Sequence, residues 1–340
     1  MKFTRILAVL LCGLFLLTAC SFWKDSEEKT YTKPDSGESL RESDQNENKE
    51  SGTLPEHIDP PEEKFTIFED MSALGDLIVA AEGISGFSES GYVGCQILFN
   101  SSAKLQISAD IILPKDYTTV QYPVILYFSD KTTKSYPGPD AAELAKTYCA
   151  NGAIVVRIHP RGTGNSKGAS NAWGKDFADV TTLLTVLEKS TFLKDSPVYA
   201  VGSGIGSIAV LRLAATDTGN RVRGCAVTNP IADLKAYVDS ADEASVEYMM
   251  QLLQHASYDK KPEEYQKRSA VTFANEIRVP LLIVNSKTAS DVYSAQAKLL
   301  TDKLTEAKKN WAVVVVSSDT TGSIADDMVS AVFNWIKPAD

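Results

Sequence analysis

Gly202, Gly204 and Gly206 lie in "PVYAVGSGIGSIAVLRLAA" (Pro197–Ala215), between a β-branched apolar run and an apolar helical one. Strand, sharp turn and helix in that order can hold a nucleophilic side chain above the edge of a sheet. The turn is so tight that the residues two before and two after the nucleophile must be small. Gly202 and Gly206 satisfy this around Gly204, whereas centring on Ser203 places Val201 and Ile205 there, and centring on Ser207 places Ile205 and Ala209. The spacing therefore selects a central residue with no side chain to react. Glycine also accepts the strained backbone of such a turn without penalty. Ser203 and Ser207 are the displaced candidates. Read otherwise, they are a loop hydroxyl and a first-turn helix residue.

A serine nucleophile needs a base, an acid to orient the base, and donors for the oxyanion. In this arrangement the base follows the last strand, yet "VVSSDTTGSIADD" (Val315–Asp327) contains no histidine. Three histidines occur in the chain, His57, His159 and His255. His57 falls in a polar, acidic stretch and reads as solvated, and His255 reads as a surface or packing residue of a helix over "EASVEYMMQLLQHA". His159 closes an apolar run and would lie on the functional edge of a sheet, but a base there still needs a nucleophile within hydrogen-bond reach; a structural role is the simpler reading. Asp291 is the candidate acid. Without a base to orient it reads as a first-turn acid stabilised by a helix dipole. No His-x-x-His or Cys-x-x-Cys spacing is present, so no metal and no cofactor is expected.

The elements that would position these residues follow from periodicity. After Phe65 short β-branched runs alternate with helical periods, the pattern of an α/β protein with a mostly parallel sheet. "LQISADIILP" (Leu105–Pro114) alternates as a strand. "PVILYFS" (Pro123–Ser129) and "GAIVVRIHP" (Gly152–Pro160) are continuous apolar runs, as strands covered on both faces should be. Helices are expected over "DAAELAKTYCANG", which ends at the C-cap signal Gly152, and over "DFADVTTLLTVLEKS" (Asp176–Ser190). Strands follow at "VRGCAVTNP" (Val222–Pro230), "VPLLIVNS" (Val279–Ser286) and "WAVVVVSS" (Trp311–Ser318), with a helix over "SAQAKLLTDKLTEAKK" and another closing the chain. Residues 231–275 read as a less regular helical insertion able to cap a site.

This order of elements, with an elbow after the fifth long strand, resembles the α/β-hydrolase superfamily. Three segments are similar to its prolyl-oligopeptidase-like and X-Pro-dipeptidyl-peptidase or esterase branches. "HPRGTGNSKG" (His159–Gly168) looks like their D-x-R-G-x-G-x-S segment, "WGKDFADVTTLLTVL" their helix before the elbow, and "EEYQKRSAVTFANEIRVPLLIVNS" their approach to the seventh strand. The resemblance implies a serine nucleophile at position 204, an acid near Ala289, a histidine after the last strand and a His-Gly pair in the loop after "PVILYF". The chain departs at each place. It has glycine at 204, alanine at 289, no histidine after the last strand, and Ser129-Asp130-Lys131 in the oxyanion loop. His159 stands where the segment has aspartate.

At the N-terminus, Lys2 and Arg5 precede the apolar run Ile6–Leu17, which is short for a membrane span and reads as a signal-peptide core. It ends in Leu17-Thr18-Ala19-Cys20, which resembles the bacterial lipobox. That resemblance implies a cleaved signal peptide over 1–19, acylation of Cys20, and a domain tethered to the membrane outside the cytoplasm. Residues 20–64 form an acidic stalk, with 13 Asp and Glu against 6 Lys and Arg between Lys24 and Lys64. Such a composition cannot bury enough apolar surface to order itself. The folded domain is expected over 65–340. With 31 Asp and Glu against 26 Lys and Arg and no basic patch interleaved with aromatics, it is not expected to bind nucleic acid. Cys95, Cys149 and Cys225 are isolated in apolar segments and read as buried thiols, with one disulfide left open.

The sequence therefore favours a lipid-anchored, non-catalytic α/β-hydrolase-like protein that binds a peptide, acyl ligand or partner protein in an inherited cleft. The competing expectations are an active peptidase or esterase with a displaced serine, and a docking or spacer module.

Overall fold

The computed structural model of the protein describes residues 66–87, 91–101, 104–129, 140–216, 221–316 and 326–336. The chain separates into Met1–Glu62 and Glu63–Asp340, and every described residue belongs to the second unit. Cys20, His57, Asp130 and the stretch 317–325 fall outside the described residues.

Among the described residues nine strands build one sheet: β1 (Ile78–Gly83), β2 (Tyr92–Asn100), β3 (Gln106–Pro114), β4 (Val124–Phe128), β5 (Ile154–Ile158), β6 (Val198–Gly204), β7 (Val222–Pro230), β8 (Leu281–Ser286) and β9 (Trp311–Val316). Their spatial order is β1-β2-β3-β5-β4-β6-β7-β8-β9. β1, β2 and β3 pair antiparallel, and β3 pairs antiparallel with β5. From β5 through β4, β6, β7 and β8 to β9 every pairing is parallel. The mostly parallel α/β sheet expected from the sequence is present. Residues 78–100, to which the sequence assigned no strand, add an antiparallel hairpin at one edge, so the elbow follows the sixth strand of the chain.

The expected half-exposed alternation of "LQISADIILP" is not realised. From Ile107 to Pro114 every β3 residue is buried, Ser108 and Asp110 included. Ser108 is covered because Ser166, from the loop after β5, reaches back over it: the Ser108 N–H donates to Ser166 Oγ (2.9 Å), which donates to the His159 carbonyl (2.8 Å).

Helices cover both faces. One core gathers the side chains of α1 (Ile67–Ser72), α3 (Phe177–Lys189), α4 (Ile205–Thr216) and α9 (Asp291–Glu306) against the sheet; the other gathers α2 (Ala141–Thr147) and α10 (Asp326–Ile336). α4 is buried almost all round, from Ile205 to Leu211 without a break, as a helix apolar on every side must be. Four short helices, α5 (Leu234–Ser240), α6 (Glu243–Leu252), α7 (Pro262–Gln266) and α8 (Ala270–Phe273), form the insertion between β7 and β8. Helix α2 is shorter than its sequence period suggests. It gives way to a 3-10 turn over Cys149–Asn151, closed by Gly152 at φ +83°.

Candidate functional site

β6 ends and α4 begins at the glycine triplet, and Gly204 between them has φ +50°. That left-handed backbone is the strained conformation of a nucleophile-bearing turn. The flanking positions tolerate nothing larger. A Cβ on Gly202 would lie 2.8 Å from the Gly206 carbonyl oxygen, and one on Gly206 would lie 2.4 Å from that of Phe128. The turn is thus built around residue 204, which carries no side chain.

Both displaced serines serve the framework. Ser203 is not in a loop: it lies within β6, fully buried, in register with Thr228 of β7. Ser207 is also fully buried. Its hydroxyl donates to the Gly204 carbonyl (2.6 Å) and accepts the Ile231 N–H (2.9 Å), pinning the elbow to the chain that leaves β7.

His159 follows β5, two strands from the elbow in the order β5-β4-β6. Its Nε2 lies 3.0 Å from Asp110 Oδ2, close enough for an ion pair but without the alignment of a hydrogen bond. The ring rests against Gly164, where a Cβ would come within 3.0 Å of Nδ1. Asp110 also accepts Arg157 Nε (3.0 Å) and Nη2, and Gln96 Nε2 (2.8 Å). Burial raises the Asp110 carboxyl, but the His159 contact and the charges of His159 and Arg157, aided by Gln96, outweigh it and hold the group below the usual carboxylate range. Asp110 and Arg157 were not singled out in the sequence; the only available signal was a carboxylate inside a strand pattern.

The remaining candidates are dispersed. Asp291 is the exposed first residue of α9, an acid in the first turn. His255 is not part of the insertion helix, because α6 stops at Leu252; it sits in an exposed turn at φ +54°. Cys95, Cys149 and Cys225 are buried, and the disulfide left open by the sequence does not form among them. Burial pushes the Cys95 and Cys149 thiols up to about 12.

A cavity of about 290 Å³ opens at the carboxyl ends of β4, β5 and β6, where α/β sheets place their ligands. Arg157 and His159 supply polar surface, while Trp173, Ile205, Tyr248 and Leu252 supply apolar surface. Tyr248 and Leu252 come from α6, so the 231–275 insertion does border this cleft. Two arginines fix its wall. Arg212 Nη1 donates to the carbonyls of Trp173 and Gly174. Arg268, fully buried, donates to the carbonyls of Asn171, Ala172 and Glu264 and to the Glu264 carboxylate. They hold Ala172 and Trp173 at φ +45° and +59°, with the Trp173 ring edge-on to Phe128 at 5.3 Å. The loop of the His159–Gly168 segment is tied separately, by the bidentate pair of Arg161 with Asp179 (2.7 and 2.8 Å).

Comparison with known proteins gives this architecture its relatives. The uncharacterized peptidase YtmA of Bacillus subtilis (strain 168) is 22% identical over 162 residues, 48% of this chain and 62% of the relative, so the match spans less than two thirds of that protein. An acetyl xylan esterase from Paenibacillus sp. R4 superposes with a TM-score of 0.59 at 14% identity, over 78% of this chain and 90% of the esterase. The Pyrococcus horikoshii acylaminoacyl peptidase superposes with a TM-score of 0.58 at 16% identity, over 73% of this chain but 41% of the peptidase. Both solved structures share the α/β-hydrolase fold seen here. The prolyl oligopeptidase family model matches residues 141–327, from α2 to the start of α10, and by that match the chain belongs to the prolyl oligopeptidase family of peptidases.

Proposed function

We propose that this chain is a non-catalytic member of its family, exported and held at the membrane by a lipid on Cys20, which binds a peptide, acyl ligand or partner protein in the cleft beside the elbow. Gly204 carries the reading: the turn keeps its left-handed backbone and its two obligatory small neighbours around a residue with no nucleophile. The chemistry around it agrees. Ser207 spends its hydroxyl on two backbone groups, Ser203 is fully buried, and the ring of His159 is turned towards Asp110. A cleft with an apolar wall and a few fixed polar groups is the ordinary form of a small-ligand site. At about 290 Å³ it suits a small ligand or the end of a larger one.

Treatment of the full-length chain in detergent with a fluorophosphonate, with the adduct located by mass spectrometry, tests the loss of catalysis. No adduct is expected beside a positive-control hydrolase. Labelling at Ser203 or Ser207, abolished by alanine at that residue, would establish a displaced nucleophile and an enzyme. Anchoring is tested by fractionation: Cys20→Ala should leave the membrane pellet, and retention there would contradict the lipid tether.

A further inference from the structure

The cleft beside the elbow is chemically lopsided. Among the described residues that line it there is no Asp or Glu. The nearby carboxylate, Asp110, is 2% exposed and does not line the cavity; it is taken up by Arg157 and His159, which do. A guanidinium carries five N–H donors, more than one carboxylate engages, and the imidazole of His159 becomes a second cation whenever it takes a proton. A ligand group that enters between these two side chains therefore meets neutral or positive charge.

Two hydroxyls of the lining have their protons turned inward. Thr163 Oγ1 donates to the Pro160 carbonyl (2.6 Å) and Ser170 Oγ to Asp176 Oδ2 (3.3 Å), so each offers the cleft an acceptor. The apolar wall of Trp173, Tyr248 and Leu252 is held in place against strain. Ala172 and Trp173 are consecutive L-residues in the left-handed region, a conformation that persists only where its surroundings over-determine it. Arg268 and Arg212 do so through the carbonyls of Asn171, Ala172, Trp173 and Gly174.

We propose, on the footing of the ligand-binding role given above, that the cleft receives the free C-terminal residue of a peptide, its carboxylate beside Arg157 and His159 and its apolar side chain against Trp173, Tyr248 and Leu252. Such an end combines the three groups that the lining complements: an anion for the cationic pair, amide N–H groups for Thr163 and Ser170, and an apolar side chain for the wall completed by α6. A simple carboxylic acid would leave the two acceptors unused. A peptide N-terminus would set an ammonium against Arg157, and an amidated C-terminus would bring the guanidinium no charge.

Isothermal titration of the full-length chain in detergent tests this with three probes. Acetyl-Ala-Ala-Leu as the free acid should bind about tenfold or more tighter than the same peptide as its C-terminal amide, because the amide forfeits a charge-assisted contact. It should also bind tighter than isocaproate, which has the carboxylate and the branched apolar end but no N–H. Arg157→Gln should bring acid and amide to the same weak affinity. Should that variant unfold around the stranded Asp110 charge, D110N/R157Q removes charge and counter-charge together and should show the same loss. Tyr248→Ala should weaken acid and amide alike and leave their ratio unchanged. Equal affinity for acid and amide, isocaproate binding as tightly as the peptide acid, an acid preference that survives in both arginine variants, or no binding of either peptide up to about 10 mM would overturn the proposal while leaving the loss of catalysis intact. Hydrolysis of either peptide, read by mass spectrometry on the same samples, would overturn the non-catalytic reading and the proposal with it.

Discussion

Asp110 shows how one side chain can organise a site that sequence spacing does not connect. It lies 47 positions before Arg157 in the chain and 2% exposed, yet it receives the guanidinium, the imidazole contact and the Gln96 amide together. Asp110→Asn would leave a partly buried cation without its counter-charge and should cost about 3 kcal/mol, measured by chemical denaturation. The pH dependence follows from the depressed carboxyl. The unfolded chain takes up the proton first, so the contribution is complete above the ordinary carboxylate range and is lost as pH falls below about 4. The stability gap between the wild type and D110N should therefore narrow as pH is lowered from 7 to 3. A gap independent of pH would mean that the network is held by packing alone. The thiols give a second test at this scale. With Cys95 and Cys149 pushed up to about 12 by burial, the thiolate needed for attack is scarce at neutral pH. Both should escape alkylation in the folded protein and react after denaturation.

The elbow tests the fold at the scale of an element. A Cβ on Gly206 would meet backbone, the Phe128 carbonyl at 2.4 Å, and backbone cannot swing aside as a side-chain tip can. Gly206→Ala should cost about 3 kcal/mol, whereas Gly204→Ala should cost about 1 kcal/mol, the price of an L-residue in a left-handed conformation. Equal costs by denaturant titration would show that the turn is not clamped at β4. These glycines were legible in the sequence because a tight turn forbids side chains at fixed offsets, and the strands β4 to β8 were legible because doubly covered strands read as unbroken apolar runs. The β1–β2 hairpin was not. β1 is an edge strand with no fully buried residue, and "YVGCQILFN" mixes polar and apolar residues. The burial of Ser108 and Asp110 was hidden for another reason. Ser108 is covered by Ser166, 58 residues later, and Asp110 by Gln96, Arg157 and His159, and no local pattern encodes such contacts. Nor does a period of helical residues foretell that His255 falls past the last turn of α6 at positive φ.

At the scale of the domain, a single sheet is shared by two cores. Trp173 belongs to the core on the face of α3 and α4, while Trp335 packs against the core on the face of α2 and α10. Neither face can be exposed without stripping one side of β4, β5 and β6, whose residues alternate between the two cores: Leu126 and Val156 point into one, Ile125 and Val155 into the other. Loss of either core therefore removes the template on which the other is packed, and the two should melt together. With Trp23 and Trp311 also replaced by phenylalanine, because Trp311 packs on the same core as Trp173, Trp173→Phe and Trp335→Phe each leave the reporter of one face, and their fluorescence transitions should coincide with each other and with far-UV circular dichroism. Asp110→Asn, though its carboxylate lies at the β3–β5 junction, should lower both by the same amount, about 6–12 °C for a cost near 3 kcal/mol in a domain of this size. Separated transitions, or a shift confined to one reporter, would show that the faces unfold independently and that the antiparallel end of the sheet is a distinct cooperative unit.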